Sequence, residues 1–502
     1  MSFIDHVLFG LQVCFQPSNI FMAFMGCAVG TLVGVLPGLG PAAAISLLLP
    51  ASFHITPVGA LIMLSGIYYG AMYGGSTTSI LVNIPGEAAS VVTTLDGYEM
   101  AKKGRAGPAL GMAACGSFIG GTIAIIGLML LAPPLADAAL RFGPPEYTTL
   151  MILGLTILSF LAKGSMLKAF IMAAFGMFLS TIGLDTISGV ARFSFGKLEL
   201  MDGIGLVPVA MGLFGISEVL LNVEKKVDRT IVAGKVGRYL PTRDDWSRCY
   251  KPILRGSVLG FFLGILPGGG AVLSSFVSYA TEKRFSKDPD RFGKGAIEGV
   301  AGPETANNAA AQGAFIPLLT LGIPSNVVMA ILLGAMMIHG LQPGPNLIHE
   351  HPDVFWGVII SMYLGNVMLV ILNLPLIGIW IQMLRVPYSV LFPLILLFCL
   401  IGVYSLNFST FDMLLMNIFG VVGYLMRKAE YEGAPLVLAL VLGNLFEVAL
   451  RQSLMLSDGS FRIFFQRPIA AAFLLTAFAL IVAPLLPWSK MRRIAVEVEK
   501  QD

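Results

Sequence analysis

Charge is scarce in this chain. Asp, Glu, Lys and Arg make up 12% of its 502 residues, about half the ~25% of a typical soluble domain. Hydrophobic residues make up 56%. That balance excludes a soluble globule, which would lack the polar surface to cover its core. Cysteine is scarce too. Cys14, Cys27, Cys115, Cys249 and Cys399 stand far apart with no CxxC pair, against a disulfide framework or a cysteine metal site. The first hundred residues hold no Lys or Arg, so the basic start of a cleavable leader is missing and none is expected. No Walker loop occurs, and Gly38-Leu39-Gly40 lacks the βαβ context of a dinucleotide fingerprint. No nucleophile–base pair or metal-ligand set stands out, so no enzyme and no resident cofactor is expected. A net charge of +3 gives no reason to expect nucleic acid.

What is present is one apolar run after another. Residues 107–131, 148–161, 166–182, 354–384, 388–403 and 468–486 approach or exceed the ~20 residues that cross a bilayer as helix. About 11 to 14 membrane segments are expected. A segment in lipid must pair its own backbone polar groups. The expected fold class is therefore an all-α polytopic membrane protein.

The runs are broken by Gly and Pro in a repeated way. Gly34-Val35-Leu36-Pro37-Gly38-Leu39-Gly40 returns as Gly264-Ile265-Leu266-Pro267-Gly268-Gly269-Gly270, an offset of 230 residues from Pro37 to Pro267. Asn83-Ile84-Pro85-Gly86-Glu87 returns as Gly322-Ile323-Pro324-Ser325-Asn326, an offset of 239 from Pro85 to Pro324. Gly107-Pro108 and Gly344-Pro345 make a third pair at 237. The order is kept, which suggests one duplicated unit. Paired, interrupted hydrophobic segments point to a transporter's binding site.

Loop charge supplies an orientation. Residues 222–255 hold nine basic side chains and residues 282–294 hold five, with more at 490–500. By the positive-inside rule these face the cytoplasm. Residues 256–281 then begin and end on one side, so a re-entrant hairpin fits them better than a span. The equivalent hairpin, about 18–53, has no flanking Lys or Arg, while the turn after Gly86 carries Lys102, Lys103 and Arg105. The matching turn at 339–345 has none. The charge pattern is mirrored between the copies. The expectation is an inverted-topology repeat with two re-entrant hairpins and broken helices, and with the amino terminus outside. The expected domains are a first half at 1–221 (broken helix near 84–87), a cytoplasmic linker at 222–255, a second half at 256–488 (broken helix near 322–326) and a cytoplasmic tail at 489–502.

Irregular backbone at membrane depth survives only where protein buries it or water reaches it. Half-helix N-termini there offer N–H groups to an anion, and free carbonyls offer oxygen to a cation. Candidate substrate-binding residues are Pro37, Gly38, Leu39 and Gly40 at the first tip and Pro267, Gly268, Gly269 and Gly270 at the second. To these we add Ser76, Thr77, Thr78, Ser274, Asn307, Asn308, Pro324, Ser325 and Asn326, whose hydroxyls, amides and backbone cluster around the breaks. Candidate cation-coupling residues are Asn83, Pro85, Gly86, Glu87, Glu304 and Gly322. A carboxylate within a membrane segment is costly and usually functional. Glu87 has an alternative reading as a helix cap. Sodium at the tips and breaks is the candidate metal. Small-residue helix packing is the bland alternative for any single glycine. A channel, a membrane-embedded enzyme and a purely structural subunit are the other classes weighed.

The motifs match a known family. GVLPGLGP at 34–41, YGGSTTSILVNIPGEAAS at 73–90, LDGYEMAKKGRAG at 95–107, GILPGGGA at 264–271, GVAGPETANNAAAQGAFIPLLTLGIPS at 299–325 and PGPNL at 343–347 resemble the large membrane subunit of tripartite tricarboxylate transporters. The resemblance runs along nearly the whole chain. It implies a multi-pass protein of a bacterial inner membrane. It also implies partnership with a smaller membrane subunit and a periplasmic solute-binding protein that delivers a carboxylate such as citrate. Uptake would be driven by a sodium or proton gradient. An elevator-like movement of the hairpins and breaks is the expected mechanism, by analogy with other hairpin-containing carboxylate transporters.

Overall fold

The structure is a computed structural model and describes residues 3–36, 40–161, 165–185, 187–224, 239–268, 270–383 and 388–482. Those residues are overwhelmingly helical. Among them the only strands are the antiparallel pair Gly183–Leu184 and Ala191–Arg192. Among the described residues, five helices are long and apolar enough to cross a membrane: Pro17–Val35, Ala106–Ala139, Leu206–Glu224, Pro352–Asn373 and Gly433–Leu456. The expectation of an all-α polytopic membrane protein holds.

The chain packs as two compact units. One takes residues 3–140 and 205–429, the other 141–204 and 430–482. Each draws on both sequence halves, so the packed units cut across the halves read from the repeat.

In the larger unit, close helix contacts are set by small residues. A Cβ on Gly26, Gly30 or Gly34 would lie 2.3, 2.6 or 2.3 Å from the carbonyl oxygens of Met63, Ile67 and Ala71. The helix Pro57–Val82 answers with Gly66, Gly70 and Gly74, the last of which would put a Cβ 2.3 Å from Thr31 O. Backbones this close gain dispersion and weak Cα–H···O contacts without a competing side chain. The same device recurs between Arg243–Ile265 and Glu298–Gly313. Cβ atoms on Gly256, Gly260 and Gly264 would meet the carbonyls of Gly302, Ala306 and Ala310 at 2.6, 2.2 and 2.2 Å.

Arg243–Ile265 and Gly270–Phe285 form a helical hairpin. Arg255 Nε donates to Glu282 Oε1 at 2.8 Å, and its second nitrogen pairs with Oε2. The two residues lie at matching distances from the tip, so the bidentate clamp fixes antiparallel limbs. The hairpin is longer than the 256–281 expected from charge. A capping box between Thr242 and Asp245 starts the helix at Arg243 and carries the basic residues 243–255 on it. Part of the expected linker is therefore hairpin limb, and its residues 225–238 lie outside the described residues. In the first half the helices Pro17–Val35 and Pro41–Ser52 follow one another, and Pro17–Val35 packs chiefly against Pro57–Val82.

The smaller unit packs Met166–Ser180 against Gly433–Leu456, where a Cβ on Gly176 would lie 2.2 Å from Leu436 O. Its strand pair is tied to the same helix. Arg451 Nη1 pairs with Asp185 at 2.8 Å and Arg192 with Glu447 at 2.7 Å. The Arg451 guanidinium, then the Ser188 hydroxyl and the Ile187 N–H, hold the Asp185 carboxyl well below its usual range.

Candidate functional site

Both expected breaks exist, and they share one backbone plan. The helix Pro57–Val82 ends on left-handed Asn83, φ 59°. Asn tolerates that conformation because its side chain is short and polar. Pro85 then prevents helix from resuming. Glu87 starts the next turn as its cap. Its Oε2 accepts from Ala89 N at 2.6 Å, and its own N–H donates to Ser90 Oγ at 3.4 Å. In the second half, Phe315–Leu321 ends on left-handed Gly322, φ 68°. Gly322 also lacks room, since a Cβ would lie 2.6 Å from Pro343 O. Pro324 follows, and Asn326 caps Val327–Ile338 with Oδ1 accepting from Met329 N at 3.0 Å. Asn83 corresponds to Gly322 and Glu87 to Asn326.

Each break is seated on the hairpin of its own half. Gly86 abuts the end of the first limb so closely that a Cβ would lie 1.9 Å from Gly34 O. Thr78 Oγ1 donates to Val35 O at 2.7 Å beside it. In the second half Gly268 N, at the tip and at φ 77°, donates to Ser325 O at 2.7 Å. Gly270 opens the second limb, and Ser274 Oγ donates back to Gly270 O at 2.7 Å. Pro267 lies in the turn before Gly268. Gly40 is the extended cap of Pro41–Ser52. Pro37, Gly38, Leu39 and Gly269 lie outside the described residues.

Glu304 is fully buried at 0% exposure and gathers residues from distant segments. Ser76 Oγ donates to its Oε2 at 2.5 Å, Asn307 Nδ2 to the same oxygen at 3.2 Å, and Thr93 Oγ1 to Oε1. Its backbone carbonyl accepts from Ser117 Oγ at 3.2 Å and Asn308 Nδ2 at 3.1 Å. These partners are neutral hydroxyls and amides. Among the described residues no ion pair includes Glu304, and a buried carboxylate without a cationic partner is costly to ionise. A small cavity with room for about one water opens beside this cluster, lined by Tyr73, Ser76, Thr77, Ser117 and Asn373 among others.

The structure thus brings Ser76, Glu304, Asn307 and Asn308 together, and separately Gly268, Ser325 and Asn326. Tyr68 is part of the second group, where its hydroxyl accepts from Asn326 Nδ2 at 3.3 Å. Sequence reasoning missed Thr93, Ser117 and Asn373. Asn366 and Asn373 gave a signal, two amides one heptad apart in an apolar run. Thr93 and Ser117 gave none.

Residues 20–438 match the family described as the tripartite tricarboxylate transporter TctA family. The chain is 51% identical over 500 residues, all of both chains, to an Agrobacterium vitis protein described as an uncharacterized 52.8 kDa protein in the TAR-I ttuC' 3' region. It is 52% identical over 240 residues, 48% of this chain and 99% of the relative, to an uncharacterized protein in the TAR-II ttuC' 3' region of the same organism. No solved structure matches. With a match across most of its length and a full-length relative, the chain belongs to the tripartite tricarboxylate transporter TctA family.

Proposed function

We propose that this chain carries a tricarboxylate or related carboxylate anion across a bacterial inner membrane by symport with sodium or protons. A periplasmic solute-binding protein would deliver the anion, and a small membrane subunit would complete the complex. Family membership makes the chain the large membrane subunit of a tripartite transporter, not an enzyme. The observation that carries the finer reading is the seating of each break on the tip region of its own half, with the buried Glu304 carboxylate held by Ser76 of the helix that leads into the first break.

The breaks at Glu87 and Asn326 begin new helical turns, whose N–H groups suit carboxylate oxygens. Cation coupling answers an electrostatic need. Each charge moved against 100 mV costs about 2.3 kcal/mol, so a trianion entering a negative interior costs ~7 kcal/mol, which about three monovalent cations offset. The two glycine ladders support the inverted repeat: Gly26, Gly30 and Gly34 correspond to Gly256, Gly260 and Gly264 at an offset of 230. Mirrored loop charge supports opposite orientation, with the amino terminus outside, the carboxyl terminus in the cytoplasm and both hairpins re-entrant. The tips, the breaks and Glu304 would then travel as one body in an elevator-like step, by analogy with other hairpin-containing transporters.

The test is carboxylate uptake into proteoliposomes containing the small subunit and its binding protein, with sodium and proton gradients imposed separately. Accumulation above equilibrium under one gradient is expected. Purely downhill flux that ignores both gradients would instead indicate a channel.

A further inference from the structure

The turns that follow the two breaks open differently. In the first half Glu87 places its own carboxylate on the new turn, where it accepts from Ala89 N at 2.6 Å. A second carboxylate would be repelled there. In the second half the matching position is Asn326, a neutral cap. Its amide orientation is settled by its partners. Only Oδ1 can accept from Met329 N, at 3.0 Å, so Nδ2 is the atom that donates to the Tyr68 hydroxyl at 3.3 Å. The oxygen of buried Tyr68 is therefore the acceptor in that bond. Its hydrogen is left over, with no acceptor among the described residues.

Three further donors belong to the same end of the helix. Ser325 Oγ is fully buried and has no hydrogen-bond partner among the described residues. Val327 and Val328 open Val327–Ile338, where backbone N–H groups have no intrahelical acceptor. The next N–H, of Met329, is the one that Asn326 caps. Buried donors without acceptors are costly and call for a partner. A water would bring two hydrogens of its own into a group already rich in them. A carboxylate brings only lone pairs, and the dipole at a helix N-terminus favours its negative charge. The site is not sealed. Pro267, Gly268, Asn326 and Val327 are each only half-buried, so this end of the helix can be reached.

We infer that the N-terminus of Val327–Ile338 binds one carboxylate group of the transported anion, with the Tyr68 and Ser325 hydroxyls and the Val327 and Val328 N–H groups as donors. The inference rests on the reading that the chain carries a carboxylate, and it sharpens that reading: the second break, not the first, takes the anion. It also gives Tyr68 a part in recognition. Tyr68 belongs to Pro57–Val82, the helix that leads into the first break. The site therefore takes donors from both halves of the sequence, and the hairpin tip lies against it, since Gly268 N donates to Ser325 O at 2.7 Å.

The experiment is equilibrium binding of radiolabelled citrate, succinate and benzoate to the purified complex with its small subunit, in sodium at about pH 6 so that either cation is supplied. Wild type is compared with Tyr68→Phe and Ser325→Ala, each of which removes one hydroxyl and little volume. Wild type should bind at least one of the three saturably. Losing a hydrogen bond to a charged group should weaken that binding at least about tenfold in each variant. The same anion should raise the melting temperature of wild type and barely move that of the variants, which separates lost binding from lost folding. If one variant does not elute as a monodisperse complex, the other decides. Unchanged affinity in either monodisperse variant, or no saturable binding of any of the three by wild type, would overturn the site. Gradient-driven uptake with the binding protein present separates the two readings. Accumulation above equilibrium alongside either of those results would sink this site and leave symport standing. Flux that ignores both gradients, with binding lost in the variants, would keep the site and sink symport.

Discussion

The two breaks have the same backbone and different chemistry. Both end a helix in the left-handed region, at Asn83 and Gly322, and both place Pro two residues later. The residue that caps the following turn is a carboxylate in one, Glu87, and an amide in the other, Asn326. The crossing helices differ likewise. Glu298–Gly313 carries buried Glu304, while Pro57–Val82 carries Tyr68, whose hydroxyl meets Asn326. Backbone geometry at the breaks is thus kept in both halves while charge is not. The groups gathered around Glu304 are hydroxyl and amide donors to its carboxylate, whereas the second tip is held by neutral backbone and amide groups.

The largest expected effect tests whether the two glycine ladders are equivalent. Gly30→Val and Gly260→Val would each drive a side chain into a backbone carbonyl, of Ile67 and of Ala306. Overpacking of this kind costs about 1–3 kcal/mol or more. Both variants should lose most folded protein by fluorescence-detected size exclusion. Loss in only one would break the equivalence.

Glu304→Gln should come next. It keeps the volume but places an amide N–H₂ among three donors, from Ser76, Thr93 and Asn307. A charged hydrogen bond contributes about 1.5–3 kcal/mol, so gradient-driven uptake should fall at least about tenfold. The complex should still assemble. Unchanged accumulation would remove Glu304 from coupling.

The caps sharpen the comparison at smaller scale. Glu87→Ala and Asn326→Ala should each cost about 1 kcal/mol in thermal stability. Glu87→Gln keeps an acceptor and should stay within about 0.5 kcal/mol. If it also leaves uptake unchanged, the charge difference between the breaks is only structural at that position.

The smallest effect lies in the other unit. Asp185 is depressed in the folded chain, so its contribution is present above the ordinary carboxylate value of about 3.9 and is lost as pH falls through and below it. Arg451→Gln should lower stability across pH 6 to 8 and make the acid-side loss shallower, so that the variant and wild type converge at low pH. An equally steep loss would mean that Arg451 does not hold Asp185.

Much of this was legible in the chain. A composition poor in charge read directly as membrane helix. The breaks near 84–87 and 322–326 were legible, because Pro interrupts helix locally, while the left-handed helix ends at Asn83 and Gly322 emerge only in the structure. The Glu87 cap was legible as an alternative. The Glu304 cluster was not. Ser76 and Glu304 are 228 residues apart and meet only through tertiary packing. Charge counting also placed the second hairpin's start too late, since it cannot tell a basic loop from a basic helix opened by the Thr242–Asp245 capping box. The packed units were hidden as well, since a repeat in sequence says nothing about which copies interlock.

The central claim is two hairpins of opposite orientation. It is tested most directly by labelling single cysteines with an impermeant thiol reagent in oriented vesicles. Introduced in turn at Gln16, His54, Ser247 and Lys287, all exposed, they bracket both hairpins. The account predicts that positions 16 and 54 label only from outside and 247 and 287 only from inside. Labelling of 16 and 54 from opposite faces, or of all four from one face, would contradict it.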